Sequence, residues 1–299
     1  MIRFFTGVFM TGTTAKITSN MSLPRGRKLE LSRTLVMGVL NVTPDSFSDG
    51  GQYIDPQKAL NRAMCMIEEG ADIIDIGGES SRPGSAPVNA DEEMRRTIPI
   101  IEAIRKKSNI PVSIDTTKAD VARQAIEAGA DIINDISALR FDDGMANVAA
   151  DFDGPVTLMH MLGTPGTMQD NPHYDDCLAE ITQFFSERLE FCDKSGIDRA
   201  RIILDPGIGF GKRLEDNLNI IKNLGRFSGL GRPLMIGASR KSFIQMITGI
   251  KRDADKRIGG SLAAVFYAVR FGCNIIRVHD VAETVETIKV INAIENYSS

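Results

Sequence analysis

Glu127–Ile133, EAGADII, is the stretch that decides how this chain folds. A helical pattern over Lys118–Ala128 runs out at Gly129, and an apolar run over Asp131–Ser137 follows at once. Glycine readily takes the left-handed backbone that closes a helix, so the phrase reads as helix end, glycine turn and buried strand. A near-copy, EGADII, stands at Glu69–Ile74, where the pattern Pro56–Glu69 stops at Gly70. The echo marks one repeated structural unit and is too local for a solenoid.

Outward from these two units the same alternation continues. Apolar runs predict strands at Leu35–Val42, Asp72–Gly78, Pro111–Thr116, Asp131–Ser137, Pro155–His160, Arg201–Gly207, Pro233–Ser239 and Ile275–Asp280. Each is nearly continuous in Val, Ile and Leu, as parallel strands covered on both faces require. The count of eight predicts a single α/β domain, a closed (β/α)8 TIM barrel. An open doubly wound sheet is the rival, but no GxGxxG follows the first strand. The 299 residues suit a barrel of about 250 with a modest extension. Residues 1–26 read as a disordered N-terminal extension, residues 27–299 as the barrel, and residues 27–36 as a short hairpin capping its bottom. The first twenty residues resemble a weak signal peptide, with the apolar patch broken by Gly and Thr, and Met21 is an alternative start. The charged stretch Lys251–Arg257 reads as a solvated loop.

Composition narrows the function. A net charge of −4 leaves no basic footprint for nucleic acid. No apolar run approaches the length of a membrane span. Cys65, Cys177, Cys192 and Cys273 form no CxxC pair and read as reduced structural thiols, which favours the cytoplasm.

Barrel chemistry sits at the C-terminal ends of the strands. There the sequence places Asn41, Asp115, Asn134 with Asp135, His160, Asp205, Ser239–Ser242, Arg277 and His279. One or two polar residues on apolar strands could be core hydrogen bonders, but a set at one end of nearly every strand points to a site. Asp115, Asn134 and Asp205 would suit a flat heterocycle with a 2-amino-pyrimidinone edge, since a carboxylate can accept two adjacent N–H donors. Lys241 could donate to its ring carbonyl, or be a surface lysine. Arg277 and His279, one residue apart, face the same side of a strand and could cradle a diphosphate beside Asn41; Arg277 could instead pair with a core carboxylate. Asn41 could be an oxygen ligand for Mg²⁺. Ser242 could help receive a carboxylate or simply cap a helix. The loops Thr43–Gly51, Glu79–Val88 and Met161–Asp176 are candidate lids, with Phe47 and Arg82 able to close over a substrate. Gly207–Lys212, GIGFGK, fails as a Walker A motif and reads as a tight turn that leaves Phe210 free to stack.

Five motifs together resemble one family. NVTPDSFSDGG at Asn41–Gly51, GGESSRPG at Gly77–Gly84, DPGIGFGK at Asp205–Lys212, SRKS at Ser239–Ser242 and RVH at Arg277–His279 are similar to dihydropteroate synthase signatures, in order, over residues 27–296. The resemblance implies a Mg²⁺-dependent homodimeric transferase that joins 6-hydroxymethyl-7,8-dihydropterin diphosphate to p-aminobenzoate. It implies a pterin pocket at Asp115, Asn134, Asp205 and Lys241, with Met159 and Gly237 among the substrate-binding residues. The diphosphate site falls on Asn41, Arg277 and His279. The p-aminobenzoate site falls on Phe47, Ser81, Arg82, Pro83, Phe210, Lys241 and Ser242. The catalytic set is Asp115, Lys241, Arg82 and Asn41, with Asn41 on the metal. Ser81 and Ile208 depart from the usual Thr and Phe, and Ser81 puts sulfonamide sensitivity in question. A methyltetrahydrofolate-dependent methyltransferase domain and a non-catalytic pterin-binding paralogue are the alternatives; neither accounts for intact diphosphate and Ser-Ser-Arg-Pro residues.

Overall fold

The computed structural model describes residues 20–43, 55–81 and 85–297. The chain enters through an antiparallel hairpin, β1 (Asn20–Leu23) and β2 (Arg27–Glu30). Eight parallel strands follow: β3 (Leu35–Asn41), β4 (Ile73–Gly77), β5 (Val112–Asp115), β6 (Ile132–Asp135), β7 (Val156–Met159), β8 (Ile202–Asp205), β9 (Met235–Ile236) and β10 (Ile275–Val278). They pair in the order β8-β7-β6-β5-β4-β3-β10-β9. A parallel bridge between Leu204 and Leu234 closes the ring, with the Leu204 amide donating to the Pro233 carbonyl at 2.9 Å. All eight predicted strands are present in a (β/α)8 barrel.

The outer ring is α1 (Pro56–Glu68), α2 (Ala90–Arg105), α3 (Ala119–Ala128), α4 (Met145–Asp151), α5 (Cys177–Lys194), α6 (Leu214–Lys222), α7 (Ser242–Thr248), α8 (Ile258–Arg270) and α9 (Val281–Glu295). Their inward faces and the outward faces of the strands form one apolar layer, from Leu40 and Ile74 to Phe185 and Ile220.

The EGADII echo has a structural cause. After α1, the Gly70 and Ala71 amides donate to Ile67 and Met66; after α3, those of Gly129 and Ala130 donate to Ile126 and Ala125. Both are the same reverse turn on a left-handed glycine, at φ 100° and 115°. The Asp that follows then binds an amide at the start of the preceding barrel strand: Asp72 accepts from Val36 at 2.9 Å and Asp131 from Val112 at 3.0 Å. Each carboxylate also holds arginine, Arg33 on Asp72 and Arg25, Arg27 and Arg105 on Asp131.

That last cluster corrects the expected N-terminus. The hairpin spans Asn20–Glu30 rather than residues 27–36, and part of the segment assigned to a disordered extension is strand β1. The reason is alternation: Met21, Leu23 and Leu29 are buried against Met37, Ile73, Ile132, Ile203 and Ile275 across the barrel bottom. Arg25 and Arg27 fasten the hairpin from outside. Residues 1–19 lie outside the described residues.

Every barrel strand stops one to three residues short of its predicted C-terminal end. β9 is also cut at its start, because Asn274 Oδ1 takes the Leu234 amide. The residues beyond these ends, among them Gly78, Ser137, Gly207, Ser239 and Asp280, belong to the loops around the barrel mouth.

Candidate active site

Four charged or amide side chains from four strands meet inside the barrel. Asp75, in the middle of β4, is fully buried. Arg277 of β10 donates from Nε to Asp75 Oδ2 and from Nη2 to Asp115 Oδ2 at the end of β5, both at 2.6 Å. Asn134 of β6 donates from Nδ2 to Asp75 at 3.2 Å. Burying these charges is costly unless each is paired, and here each one is. Burial works against the Arg277 cation, but Asp75 and Asp115 outweigh it and keep the guanidinium charged. Burial pushes the Asp115 carboxyl up to about 7; Arg277 opposes the shift and Asp75 adds to it.

Beside this group lie Asp205 and Lys241. Asp205 Oδ1 accepts from the Gly207 amide at 2.8 Å, and burial raises its pKa against the pull of Lys241. Lys241 precedes α7 and donates from Nζ to the Ile208 carbonyl. The same nitrogen lies 4.3 Å from the centre of the Phe210 ring. Burial brings its ammonium down to about 7, with Asp205 opposing and Arg277 reinforcing. Phe210 in turn packs on the buried Met159, Met161 and Met168.

Several predicted residues join the same mouth. Asn41 Oδ1 and Asp115 Oδ2 each lie 3.7 Å from the point where a side chain at Gly77 would begin, so this glycine keeps space open between them. Gly237 lies against Arg277, whose Cβ would be 3.9 Å from an added methyl. His279 Nδ1 is 3.2 Å from Ser239 Oγ, which also accepts the His279 amide. Ser81 lines a cleft of about 400 Å³ with Glu79, Asp115, Thr116 and Ile136. Ser242 is exposed at the first position of α7. Phe47, Arg82 and Pro83 lie outside the described residues. A larger groove, about 510 Å³ between Tyr174 and Arg226, contains none of the predicted site residues.

The structure revises three readings. Arg277 is not an open fork, because two of its nitrogens are committed to Asp75 and Asp115. Asp135 leaves the site: neighbours on a strand face opposite sides, and its carboxylate caps the Ser137 and Leu139 amides. His160 packs its ring edge-on against Phe184 of α5 at 4.8 Å, on the helix side of the strand. The residue missed by sequence reasoning is Asp75; the signal was a carboxylate amid Ile73, Ile74 and Ile76.

The profile of the family described as pterin binding enzyme matches residues 37–279. The dihydropteroate synthase of Escherichia coli (strain K12) is 46% identical over 269 residues, covering 90% of this chain and 94% of that protein. The chain belongs to the dihydropteroate synthase family. The enzyme of Synechocystis sp. (strain ATCC 27184 / PCC 6803 / Kazusa) is 47% identical over 262 residues, covering 88% of this chain and 90% of that one. Among solved structures, dihydropteroate synthase from Xanthomonas albilineans in complex with 7,8-dihydropteroate superposes with a TM-score of 0.83 at 43% identity, over 91% of this chain and 98% of that one. The Yersinia pestis dihydropteroate synthase with a sulfonamide drug complex gives a TM-score of 0.87 at 43% identity, over 93% of this chain and all (100%) of that one.

Two groups poised near neutrality give this member of the family a pH signature. Below about 7 Asp115 takes up a proton, and above about 7 Lys241 loses one. The profile of kcat/KM, which reports the free enzyme, is therefore expected to peak near neutral pH. In Lys241→Arg the guanidinium stays charged, so the alkaline limb should disappear while the acid limb remains. An unchanged alkaline limb would assign it to another group.

Proposed function

We infer that this chain condenses 6-hydroxymethyl-7,8-dihydropterin diphosphate with p-aminobenzoate, giving 7,8-dihydropteroate and diphosphate. The observation that carries the reading is the convergence of Asp75, Asp115, Asn134, Asp205, Lys241 and Arg277 at one barrel mouth. Carboxylates accept N–H donors in pairs, and an amide both gives and receives, so Asn134 and Asp205 match the amino-pyrimidinone edge of a pterin. Lys241 donates to the ring carbonyl.

The reacting carbon is the CH₂ that carries diphosphate. Its C–O bond breaks with the electron pair going to the leaving group, whose oxygens meet His279 and Arg277 Nη1, the guanidinium nitrogen not committed to Asp75 or Asp115. The cation left behind delocalises into the dihydropterin ring. The Asp115 carboxylate, paired with Arg277, stabilises it. The aromatic amine then forms the C–N bond and releases a proton. Because the cation is already electron-poor, the weakly basic amine needs no strong general base. Phe210, Ser81 and Ser242 form the p-aminobenzoate side among the described residues, and keeping water from that side protects the cation; Phe47, Arg82 and Pro83, which the sequence resemblance assigns to it, lie outside the described residues.

Mg²⁺ fits the diphosphate end. No group of three His, Cys, Asp or Glu among the described residues could hold a metal, so an all-protein cage is not what the residues offer. What they offer is the Asn41 amide oxygen beside Asp115, and Mg²⁺ commonly takes one or two protein oxygens with substrate phosphates and waters. When bound, the ion would neutralise charge developing on the leaving diphosphate.

A homodimer fits the outer surface. Phe266, Tyr267 and Phe271 of α8 and its end, with Val290 and Ile294 of α9, leave a partly exposed apolar face. The Tyr267 and Phe271 rings stack at 6.1 Å. Aromatic clusters of this kind are the ordinary core of a subunit contact. The expected mass in solution is twice 32.7 kDa, and a monomer at micromolar concentration would reject the assignment. No helix among the described residues is long and apolar enough to cross a membrane. Four unpaired cysteines suit the reducing cytoplasm, which cell fractionation would check.

The deciding assay follows diphosphate release from the pterin substrate with Mg²⁺, with and without p-aminobenzoate. Release matched by dihydropteroate, and abolished by chelator, is expected. Asp115→Asn should lower kcat on the order of a hundredfold or more while diphosphate-substrate binding changes far less. Pterin binding without turnover would favour a non-catalytic paralogue, and kcat equal to wild type in the variant would remove Asp115 from the chemistry.

A further inference from the structure

The Gly207–Lys212 turn contains a buried lysine that the chemistry above does not use. Lys212 is 4% exposed. Its ammonium forms no ion pair with a described residue. It donates instead to His160 Nδ1 at 2.9 Å, the Phe210 carbonyl at 3.0 Å and the His160 carbonyl at 3.3 Å. An ammonium has three N–H groups, and all three are accounted for. Burial pulls this lysine down to about 7; Cys177, Asp205 and Asp216 oppose the shift and Lys241 adds to it. An apolar residue would be easier to bury, so the three donors need a reason.

The turn supplies one. Gly207, Gly209 and Gly211 all have positive φ, at 68°, 82° and 62°. Three such glycines give little conformational resistance of their own. The turn lies hard against the end of β7: a side chain at Gly207 would begin 2.1 Å from the His160 carbonyl, and one at Gly211 2.7 Å from Leu162. Asn217 binds the Gly209 amide at 2.6 Å, Gln169 the Gly209 carbonyl at 2.8 Å, and Tyr174 the Gly211 carbonyl at 2.7 Å. None of these touches Phe210. Lys212 alone among these contacts holds the Phe210 carbonyl, and it ties that carbonyl to the residue following Met159 in the pocket wall.

We propose that Lys212 is a positioning residue for the p-aminobenzoate side of the site, fixing the Phe210 backbone against His160 so that the ring stays beside Lys241. The inference rests on Phe210 belonging to that side. The pterin edge, held by Asn134 and Asp205, does not depend on it.

Lys212→Met keeps the chain length and removes every donor. It is expected to raise KM for p-aminobenzoate about tenfold, the equivalent of one or two lost hydrogen bonds. The Kd of the pterin diphosphate, titrated without p-aminobenzoate, should move less than about twofold on the same scale. Lys212→Gln, which retains an N–H for the Phe210 carbonyl, should lie between, and it carries the comparison if the Met variant does not fold. Phe210→Ala is measured alongside. A raised KM in Phe210→Ala with none in either Lys212 variant would overturn the role of Lys212. An unchanged KM in Phe210→Ala would instead overturn the placement of Phe210. Equal losses toward both substrates in the Lys212 variants would reduce the residue to a structural one and also overturn the proposal.

Discussion

One guanidinium between two carboxylates organises the interior of this barrel. Arg277 reaches from β10 to Asp75 on β4 and Asp115 on β5, both at 2.6 Å, and Asp75 in turn orients the Asn134 amide. Removing Arg277 would strand two buried carboxylates, so the three strands and the groups they carry are fixed relative to one another. The same low-dielectric surroundings set the ionisation of the mouth, bringing the Asp115 carboxyl up and the Lys241 ammonium down until both titrate near 7. A site that must bind a polar heterocycle and stabilise a developing cation gains from such preorganised charge, because nothing has to reorient as the reaction proceeds.

Around this fixed interior the chain separates its tasks. The bottom is closed by an apolar plug from the hairpin and stapled by Asp131 with three arginines. The top is built from residues in the last rungs of the strands and from the loops that follow them. The two ends share one unit, in which a helix stops on a left-handed glycine, an aspartate caps the neighbouring strand, and the new strand delivers its polar residue at the far end. Asp131 and Asn134, at opposite ends of the β6 segment, show both jobs done by one short run.

The fold was legible because parallel strands buried on both faces write themselves as continuous apolar runs, and the glycine stops separate them cleanly from helices. The hairpin was misplaced because Met21 and Leu23 look unremarkable in sequence; only the open bottom of a closed barrel gives their alternation something to cover. Site residues at strand ends were legible for the same geometric reason that places chemistry there. Asp75 was not, since it lies within a strand, and its partners stand 59 and 202 residues away in the chain. Asp135 and His160 were read as site candidates because position along a strand is visible in sequence while the facing of its last residues is less secure. Lys212 escaped as part of a glycine-rich turn, where a lysine is usually solvated.

The central claim is that the Asp75–Arg277–Asp115 arrangement makes the pterin pocket what it is. Calorimetric titration of the pterin diphosphate, without p-aminobenzoate, into wild type and Asp75→Asn tests it most directly. The substitution keeps size and a hydrogen-bond acceptor but removes the charge that anchors Arg277. Binding at least about tenfold weaker, in a variant that still unfolds cooperatively, is the result this account requires. Unchanged affinity would contradict it and would leave Asp75 a residue of the core alone.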